Sequence, residues 1–288
     1  MKVKGKFITV VSDNKRRLAN IPPGAENPIN FALAQRDQPI LDMVREALDH
    51  KQTLLAFQPV LRASNHRSIA FYEGLIRILD ATGRVIPARD FMGVAEDTEL
   101  GREIDVGALR MGLQTLQRNP KLRLSINMSA RSIGYKSWMQ VLRRFLKQDP
   151  TIGERLILEI TESSAMTVPE LVVDFMDDLQ PHGVCFAMDD FGAGYTAIRY
   201  FKDFYFDILK IDGQFIRGVS KNPDNRAITA ALVAIAHQFE MLTVAENVES
   251  AEDAALLGQM GVDCLQGYYF SAPTTQPEWL QTGQRRAG

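Results

Sequence analysis

From about Pro39 onward the chain alternates short apolar runs with amphipathic stretches, and this alternation restricts the possible folds more than any other feature. The apolar runs predict eight strands, at residues 53–59, 68–76, 122–127, 155–161, 184–190, 206–212, 242–247 and 262–268. Helical patterns separate most of them, at residues 101–118, 135–147, 168–180, 193–202, 223–239 and 250–260. Strands that alternate with helices form parallel sheets, and eight of them predict an α/β fold, a TIM-like (β/α)8 barrel.

The first two predicted strands depart from this pattern. Little more than the segment from Arg62 to Arg67 separates them, whereas a parallel crossover needs roughly a dozen residues or more. We therefore expect an antiparallel hairpin here, which gives the barrel one antiparallel strand at its start.

Composition narrows the class of protein. The chain has 288 residues and a net charge of −2, and without a basic excess we do not expect a nucleic-acid polymer as partner. Two cysteines, Cys185 and Cys264, are too few for a disulfide framework or a zinc cluster. No signal peptide is recognisable, nor the run of roughly 18 apolar residues that a membrane span needs. These features predict a cytoplasmic protein without a membrane span.

Three segments are expected along the chain. Residues 1–37 carry the basic cluster Lys15-Arg16-Arg17 and few periodic apolar positions, which predicts an N-terminal extension of unknown role. Residues 38–275 are expected to form the barrel domain, and residues 276–288 a C-terminal tail.

Polar side chains collect at or near the ends of the predicted strands. They are Glu73, Asn127, Glu159, Glu162, Asp189, Asp190, Lys210, Asp212, Glu246 and Gln266. The carboxyl ends of barrel strands meet at one rim, where enzymes of this fold place their active sites. A single acid at such a position is more often a helix cap or part of a surface ion pair, but eight strands rarely produce the whole set by accident.

Five of these acids would crowd into one pocket: Glu73, Glu159, Asp189, Asp190 and Glu246. Two carboxylates about 5 Å apart repel each other by roughly 3 kcal/mol at an effective dielectric constant of about 20. One lysine cannot neutralise five charges, so either several acids are protonated or cations lie among them. Carboxylate and amide oxygens suit Mg²⁺ or Mn²⁺. The sequence therefore suggests a site for two metals that hydrolyses a phosphodiester.

Eight segments resemble, in order and spacing, the successive motifs of the EAL domain, and together they cover about residues 39–273. The segments are Phe57-Gln58-Pro59, Glu73-Gly74-Leu75-Ile76-Arg77, Asn127-Met128-Ser129-Ala130-Arg131, Leu158-Glu159-Ile160-Thr161-Glu162-Ser163, Asp189-Asp190-Phe191-Gly192-Ala193-Gly194-Tyr195, Leu209-Lys210-Ile211-Asp212, Ala245-Glu246-Asn247-Val248-Glu249 and Gln266-Gly267-Tyr268. Each segment is weak alone, but the joint match is specific.

The resemblance implies a phosphodiesterase that opens cyclic di-GMP to linear pGpG with two Mg²⁺ or Mn²⁺ ions, in an irregular TIM-like barrel. By resemblance, Glu73, Asn127, Glu159 and Asp189 would bind one metal, and Asp189, Asp190 and Glu246 the second. Glu73 and Glu246 would thereby be catalytic, together with Lys210, which would position or activate the attacking water.

The resemblance also assigns roles around this centre. Gln58, Arg77 and Gln266 would contact the substrate, and Gln266 would in addition support the region of the second metal. Glu162 would anchor the loop from Asp190 to Tyr195, through which the family couples dimer contacts to metal binding. A homodimer is one expectation that follows.

The chain departs from the family pattern at four positions without losing an expected metal ligand. Gly74 replaces an alanine of the signature, which costs about 0.5–1 kcal/mol in a strand. Asn247 and Ser250 alter the run that follows Glu246. Ile78 replaces a tryptophan common after the arginine, which bears on substrate affinity rather than on catalysis.

Two other functions stay open. A degenerate EAL module would bind the nucleotide, or only a protein partner, without hydrolysis, although such modules usually lack a metal ligand. From a different class, the glycine pattern from Gly192 to Ala197, with Asp212 about 20 residues further on, fits a dinucleotide-binding fingerprint. Against it, Asp189 and Asp190 would point negative charge at a pyrophosphate, and a barrel is not the open sheet that binds dinucleotides.

Overall fold

The computed structural model describes residues 28–193 and 202–280, and nine strands within these ranges form one sheet. The strands are Thr53–Arg62 (β1), Asn65–Leu79 (β2), Val85–Pro87 (β3), Leu124–Asn127 (β4), Leu156–Thr161 (β5), Cys185–Phe191 (β6), Ile208–Ile211 (β7), Leu242–Ala245 (β8) and Cys264–Leu265 (β9). Their order is β1-β9-β8-β7-β6-β5-β4-β2-β3, and β1 also pairs with β2. Eight strands thus close into the predicted barrel, and β3 extends the sheet outside it.

The hairpin that closes the barrel has the predicted direction. β1 pairs antiparallel with both of its neighbours, β2 and β9, whereas the other neighbouring strands of the barrel are parallel. Only Ala63 and Ser64 lie between β1 and β2. A loop this short can reverse the chain but cannot carry it back for a parallel pairing, so the expectation of one antiparallel strand is confirmed.

Helices cover the outside of the barrel. They are Pro28–Asp49 (α1), Met92–Ala95 (α2), Glu99–Arg118 (α3), Lys136–Gln148 (α4), Glu162–Thr167 (α5), Pro169–Leu179 (α6), Gly213–Ile216 (α7), Pro223–Gln238 (α8) and Ala251–Gln259 (α9). The helix predicted at residues 193–202 falls almost wholly outside the described part of the chain. Among the described residues, no helix combines the length and the apolarity needed to cross a membrane.

Helix α1 was not expected from the sequence. It crosses the predicted boundary at residue 37, and its residues Val44 and Ala47 pack in a small apolar cluster with Ile78 and Phe91 of the barrel region. Residues 1–27 lie outside the described ranges, so the extension itself stays a prediction.

Part of the predicted C-terminal tail also contacts the barrel. The Trp279 ring packs edge-on against Phe57, with ring centres 5.0 Å apart, and against Tyr72 at 5.7 Å. Residues 281–288 of that tail lie outside the described part of the chain.

The barrel interior contains an apolar layer. Its members come from seven strands and are Val60, Phe71, Ile157, Ala187, Ile208, Val244 and Cys264. Because side chains two residues apart on a strand point the same way, the interior also receives the residues two positions further on, roughly 6–7 Å higher. This spacing decides which polar residues meet inside the barrel.

Candidate active site

A polar layer lies inside the barrel directly above the apolar layer. On six strands, or at their ends, a residue of the apolar layer is followed two positions later by a residue of the polar layer. These pairs are Phe71 and Glu73, Ile157 and Glu159, Ala187 and Asp189, Ile208 and Lys210, Val244 and Glu246, and Cys264 and Gln266. On the antiparallel β1 the order reverses, and Gln58 precedes Val60. The register between adjacent strands places their polar residues at the same height in the barrel; Asn127 of β4, for example, is paired with Glu159 of β5. The structure therefore brings together the predicted rim residues of these strands.

Asp189 and Asp190 both reach this site because β6 is irregular at this point. The pairing of β6 with β7 shifts register between Met188 and Phe191, and Asp190 adopts a left-handed backbone with φ of 52°. In a regular strand, consecutive side chains would face opposite ways. Here Asp189, Asp190 and Glu246 each place a carboxylate oxygen in one group whose atoms all lie within 4.8 Å of one another.

Lys210 lies among these acids and is fully buried. Its Nζ is 2.8 Å from Glu159 Oε2, 2.8 Å from Asp189 Oδ1 and 2.9 Å from Glu246 Oε1. Glu73 Oε2 is further away, at 3.7 Å. One ammonium group therefore faces four carboxyl groups. Burial would lower the pKa of Lys210, but the charges of Asp189, Glu159 and Glu246 raise it well above its ordinary value.

The acids respond differently to this environment. Burial raises the pKa of Glu159 to about 8, although Lys210 opposes the shift, and burial likewise raises the pKa of Glu246 well above its ordinary value. Burial and repulsion from Asp189 raise the pKa of Asp190 to about 6. Burial thus opposes the ionisation of Glu159, Glu246 and Asp190, and a bound divalent cation would offset this cost.

Glu73 is the exception, because amide groups surround its carboxylate. Burial alone would raise the pKa of Glu73, but the charge of Lys210 and hydrogen bonds from Gln266 and Asn127 hold it below its ordinary value. Asn127 Nδ2 donates to Oε1 at 2.8 Å, and Gln266 Nε2 donates to Oε2 at 2.5 Å. The same amide of Gln266 lies 3.1 Å from Gln58 Oε1. Gln58 is thus buried beside Glu73 rather than exposed on the rim.

The donor set fits hard divalent cations. Glu73, Glu159 and Asp189 form one close group of carboxylates, and Asp189, Asp190 and Glu246 form a second, so that Asp189 belongs to both. Glu159 Oε1 is buried without a hydrogen-bond partner, although buried acceptors are normally paired. An all-oxygen donor set suits Mg²⁺ or Mn²⁺, and a bound cation would give Glu159 Oε1 a partner.

Arg77 and Glu162 lie beside this cluster. Arg77 is partly buried, and its Nη1 donates to the carbonyl of Ile76 at 2.9 Å. Glu162 is the first residue of α5, and its Oε2 accepts a hydrogen bond from the backbone N–H of Gly192 at 2.9 Å. Gly192, with φ of 93°, precedes residues 194–201, which lie outside the described part. The predicted loop therefore has a contact with Glu162 at its start.

Asp105 was missed by the sequence analysis, and it supports the segment that follows Asn127. Its Oδ2 accepts hydrogen bonds from Ser132 Oγ at 2.6 Å and from the N–H of Ser129 at 3.0 Å. Burial raises the pKa of Asp105 to about 7, against the effect of these two hydrogen bonds. The sequence did hold one indication that Asp105 is buried: it lies four residues before Leu109, and so on the same, buried face of α3.

The four departures from the family pattern have structural counterparts. Asn247 adopts φ of 53°, a conformation that asparagine tolerates better than most residues. Ser250 caps α9, because its side chain accepts a hydrogen bond from the N–H of Asp253. Ile78 is fully buried in the cluster beside α1. A Cβ added at Gly74 would lie 2.7 Å from Ile126 Cδ1, so this isoleucine fills the space of an alanine methyl group.

Fold and site together define a TIM-like barrel with an acidic, all-oxygen centre at the carboxyl end of its parallel strands. The family model of the EAL domain matches residues 41–273. The chain belongs to the EAL domain family.

Known relatives and solved structures agree with this assignment. The chain is 31% identical over 245 residues to signaling protein YkoW of Bacillus subtilis, covering 83% of this chain and 30% of the relative. It is also 31% identical over 238 residues to cyclic di-GMP phosphodiesterase PdeF of Escherichia coli, covering 81% of this chain and 32% of the relative. It thus spans about a third of the length of these relatives.

A solved structure of the MucR phosphodiesterase from Pseudomonas aeruginosa, in complex with cyclic di-GMP, superposes with a TM-score of 0.75 at 28% identity, covering 84% of this chain and 99% of that one. An EAL domain protein from Listeria monocytogenes superposes with a TM-score of 0.72 at 27% identity, covering 86% of this chain and 97% of that one.

Proposed function

We propose that this chain hydrolyses cyclic di-GMP to linear pGpG with two divalent cations, Mg²⁺ or Mn²⁺, bound at the barrel rim. The proposal rests on one observation: two clusters of three carboxylates share Asp189, and Lys210 lies between them. Relatives named cyclic di-GMP phosphodiesterases support the substrate. The chain spans only about a third of the length of these relatives, so the proposed activity and substrate concern this barrel alone.

In this proposal the chain's own residues hold and orient the reactants. Glu73, Asn127, Glu159 and Asp189 hold one cation, and Asp189, Asp190 and Glu246 hold the other. Bound cations of this kind supply a water of lowered pKa and stabilise charge on the phosphate and the leaving oxygen. Two amide donors fix the carboxylate of Glu73 and help hold its pKa below the ordinary value, which favours the charged form that binds a cation.

Lys210 acts as a donor in this scheme. Its raised pKa keeps Nζ protonated, so the side chain is suited to position a water or a phosphate oxygen by donating a hydrogen bond, and it is unsuited to accept a proton. Of the two roles expected by resemblance, positioning is therefore the one we propose.

The remaining residues complete the proposed site. Arg77 contacts a phosphate of the substrate, since guanidinium groups bind phosphate oxygens in bidentate fashion. Gln58 and Gln266, which are hydrogen-bonded to each other, contact the substrate and keep Glu73 in place. Glu162 anchors the loop from Asp190 to Tyr195. A homodimer and a cytoplasmic location stay predictions from the resemblance and from the composition.

An EAL module that binds the nucleotide without hydrolysis is the alternative. The assay that separates the two measures pGpG release from cyclic di-GMP with Mg²⁺, with Mn²⁺ and with a chelator. We expect turnover only with a cation, and its loss together with metal binding in Glu73→Ala. Glu103→Ala, an exposed acid on α3, is the matched control. Binding of cyclic di-GMP without turnover in either metal would favour the alternative.

A further inference from the structure

The barrel has a second cavity, at the end opposite to the acidic site. Its volume is about 630 Å³. Each of the eight barrel strands, or a residue next to it, contributes to the lining, and the inner wall is formed by Phe71, Ile157, Ile208, Val244 and Cys264. These residues belong to the apolar layer beneath the polar one. A single layer of side chains therefore separates this cavity from the acids around Lys210.

The side chains of two arginines at the edge of the cavity make no hydrogen bond or ion pair with other residues of the described ranges. Arg62 is the last residue of β1 and Arg123 immediately precedes β4; both are exposed. They lie close enough to act on the two thiols of the cavity. Burial and the negative charge of Asp207 raise the pKa of Cys185, and the positive charge of Arg123 opposes this shift. Burial and the charge of Asp263 raise the pKa of Cys264, and Arg62 opposes this shift.

Most other charged groups of the lining are engaged by the protein. Asp263 Oδ2 accepts from Thr243 N at 2.8 Å, and Asp207 Oδ2 accepts from Phe186 N at 2.8 Å. Arg155 Nη1 donates to the carbonyl of Leu116 at 2.8 Å.

Glu154 is also part of the lining, and it is exposed. The lining carries three guanidinium groups and three carboxylates, but among them only Arg62, Arg123 and Glu154 have no side-chain hydrogen bond to the described residues. The two free guanidinium groups can donate to an anionic group at the edge of the cavity, while the apolar wall favours a hydrocarbon or aromatic body inside it.

We propose that this cavity binds a small organic anion, with a carboxylate held by Arg62 and Arg123 and an apolar body packed on the inner wall. The site is separate from the proposed catalytic centre, so its test needs neither metal nor hydrolysis.

The test uses 1-anilinonaphthalene-8-sulfonate, an apolar anion that fluoresces on burial, and decanoate as a competitor. On the full chain we expect saturable binding at one site and displacement of the probe by decanoate. Arg62→Ala and Arg123→Ala should each weaken binding of decanoate by about fivefold or more, which corresponds to roughly 1 kcal/mol. Arg144→Ala, an exposed arginine of α4 outside the cavity, should leave binding unchanged.

A second variant fills the cavity without changing its charge. Gly258 lies on α9 in the lining, and a Cβ added there meets only Ala63 O at 3.8 Å, so Gly258→Phe should block binding without disturbing the backbone. Gly107→Phe is the matched control, because Gly107 is also helical and has open space around it.

The proposal is overturned if no saturable binding occurs, or if the arginine variants and Gly258→Phe bind decanoate as well as the unaltered protein does. Binding that appears only after residues 1–27 are removed would also overturn it, since a segment of the chain would then be the occupant.

Discussion

Lys210 Nζ lies 2.8 Å from Glu159 Oε2, and the two side chains are 1% and 0% exposed. Removing the single cation of a buried charged cluster costs about 3–5 kcal/mol, because the remaining acids must either stay charged without compensation or take up protons. The pair is therefore central both to the stability of the metal-free barrel and to the charge that a cation would meet.

Replacement of Lys210 by methionine tests this relationship. We expect Lys210→Met to lower the free energy of unfolding of the metal-free protein by about 3 kcal/mol and to abolish turnover. Mg²⁺ should then raise the melting temperature more in the variant than in the unaltered protein, because the uncompensated carboxylates attract the cation. Thermal unfolding with and without Mg²⁺ measures this, with the exposed Lys221→Met as control. Equal stability of both proteins without metal would contradict the prediction.

Asp105 should make stability depend on pH. Its pKa is raised to about 7 by burial, so the folded state binds a proton that the unfolded state releases above its ordinary pKa near 3.8. The stabilisation is complete below pH 4 and is lost as pH rises through 7. Between pH 5 and 8 the loss amounts to about 2–3 kcal/mol.

Asp105→Asn removes this titration and keeps an acceptor for Ser129 and Ser132. In urea unfolding at pH 5, 6, 7 and 8, the stability difference between the two proteins should shift in favour of the variant as pH rises. The other buried acids titrate in both proteins and cancel in the difference. Parallel pH profiles would show that Asp105 does not titrate in this range.

Gly74 and Ile126 should be energetically coupled. Gly74→Ala places a methyl group 2.7 Å from Ile126 Cδ1 and 3.3 Å from Ser125 O, and such overpacking costs about 1–3 kcal/mol. Ile126→Val alone should cost about 0.5–1.5 kcal/mol. The double variant should lose less stability than the sum of the two single losses, because valine lacks the Cδ1 atom with which the added methyl group collides. Unfolding free energies of the four proteins form the cycle, and simple additivity would refute the coupling.

The hydrogen bond between Glu162 and Gly192 should affect metal binding indirectly. Glu162→Ala removes the acceptor of the Gly192 N–H, so hydrogen exchange at this amide should accelerate. Loss of a residue that supports a ligand typically weakens metal affinity by about 10–100-fold, and we expect a decrease of this order for Mn²⁺.

Two variants are the controls for this experiment. Glu162→Gln keeps an acceptor and should behave nearly as the unaltered protein does, and Glu170→Ala removes an exposed acid at the start of α6. Faster exchange at Gly192 with unchanged Mn²⁺ affinity would contradict the prediction, because it would show that the loop contact does not influence metal binding.

Local patterns predicted the barrel strands because each strand buries a short apolar run whose length and spacing can be read without knowledge of its neighbours. Helix α1 was not predicted because Pro39 lies inside it, and an internal proline normally ends or kinks a helix. Its buried residues, Val44 and Ala47, gain their packing from Ile78 and Phe91, which are distant in sequence. Strand β3 escaped because three residues carry no periodicity.

The acids of the site could be selected from the sequence, but not their relations to one another. Asp189 and Asp190 were recognisable as a pair at a strand end, whereas the register shift that lets both reach Glu246 depends on pairing with β7. Gln58 could not be placed beside Gln266, because this contact joins residues 208 positions apart.

The amino-acid sequence by itself determined the eight barrel strands, most of the longer helices and the chemical types of the rim residues, since periodicity and composition are local properties of a chain. Only the tertiary structure decided that one lysine faces four carboxyl groups, that Asp105 supports the segment after Asn127, and that a second cavity lies beneath the acids. These features arise from strand register and from burial, which exist only once distant segments have packed together.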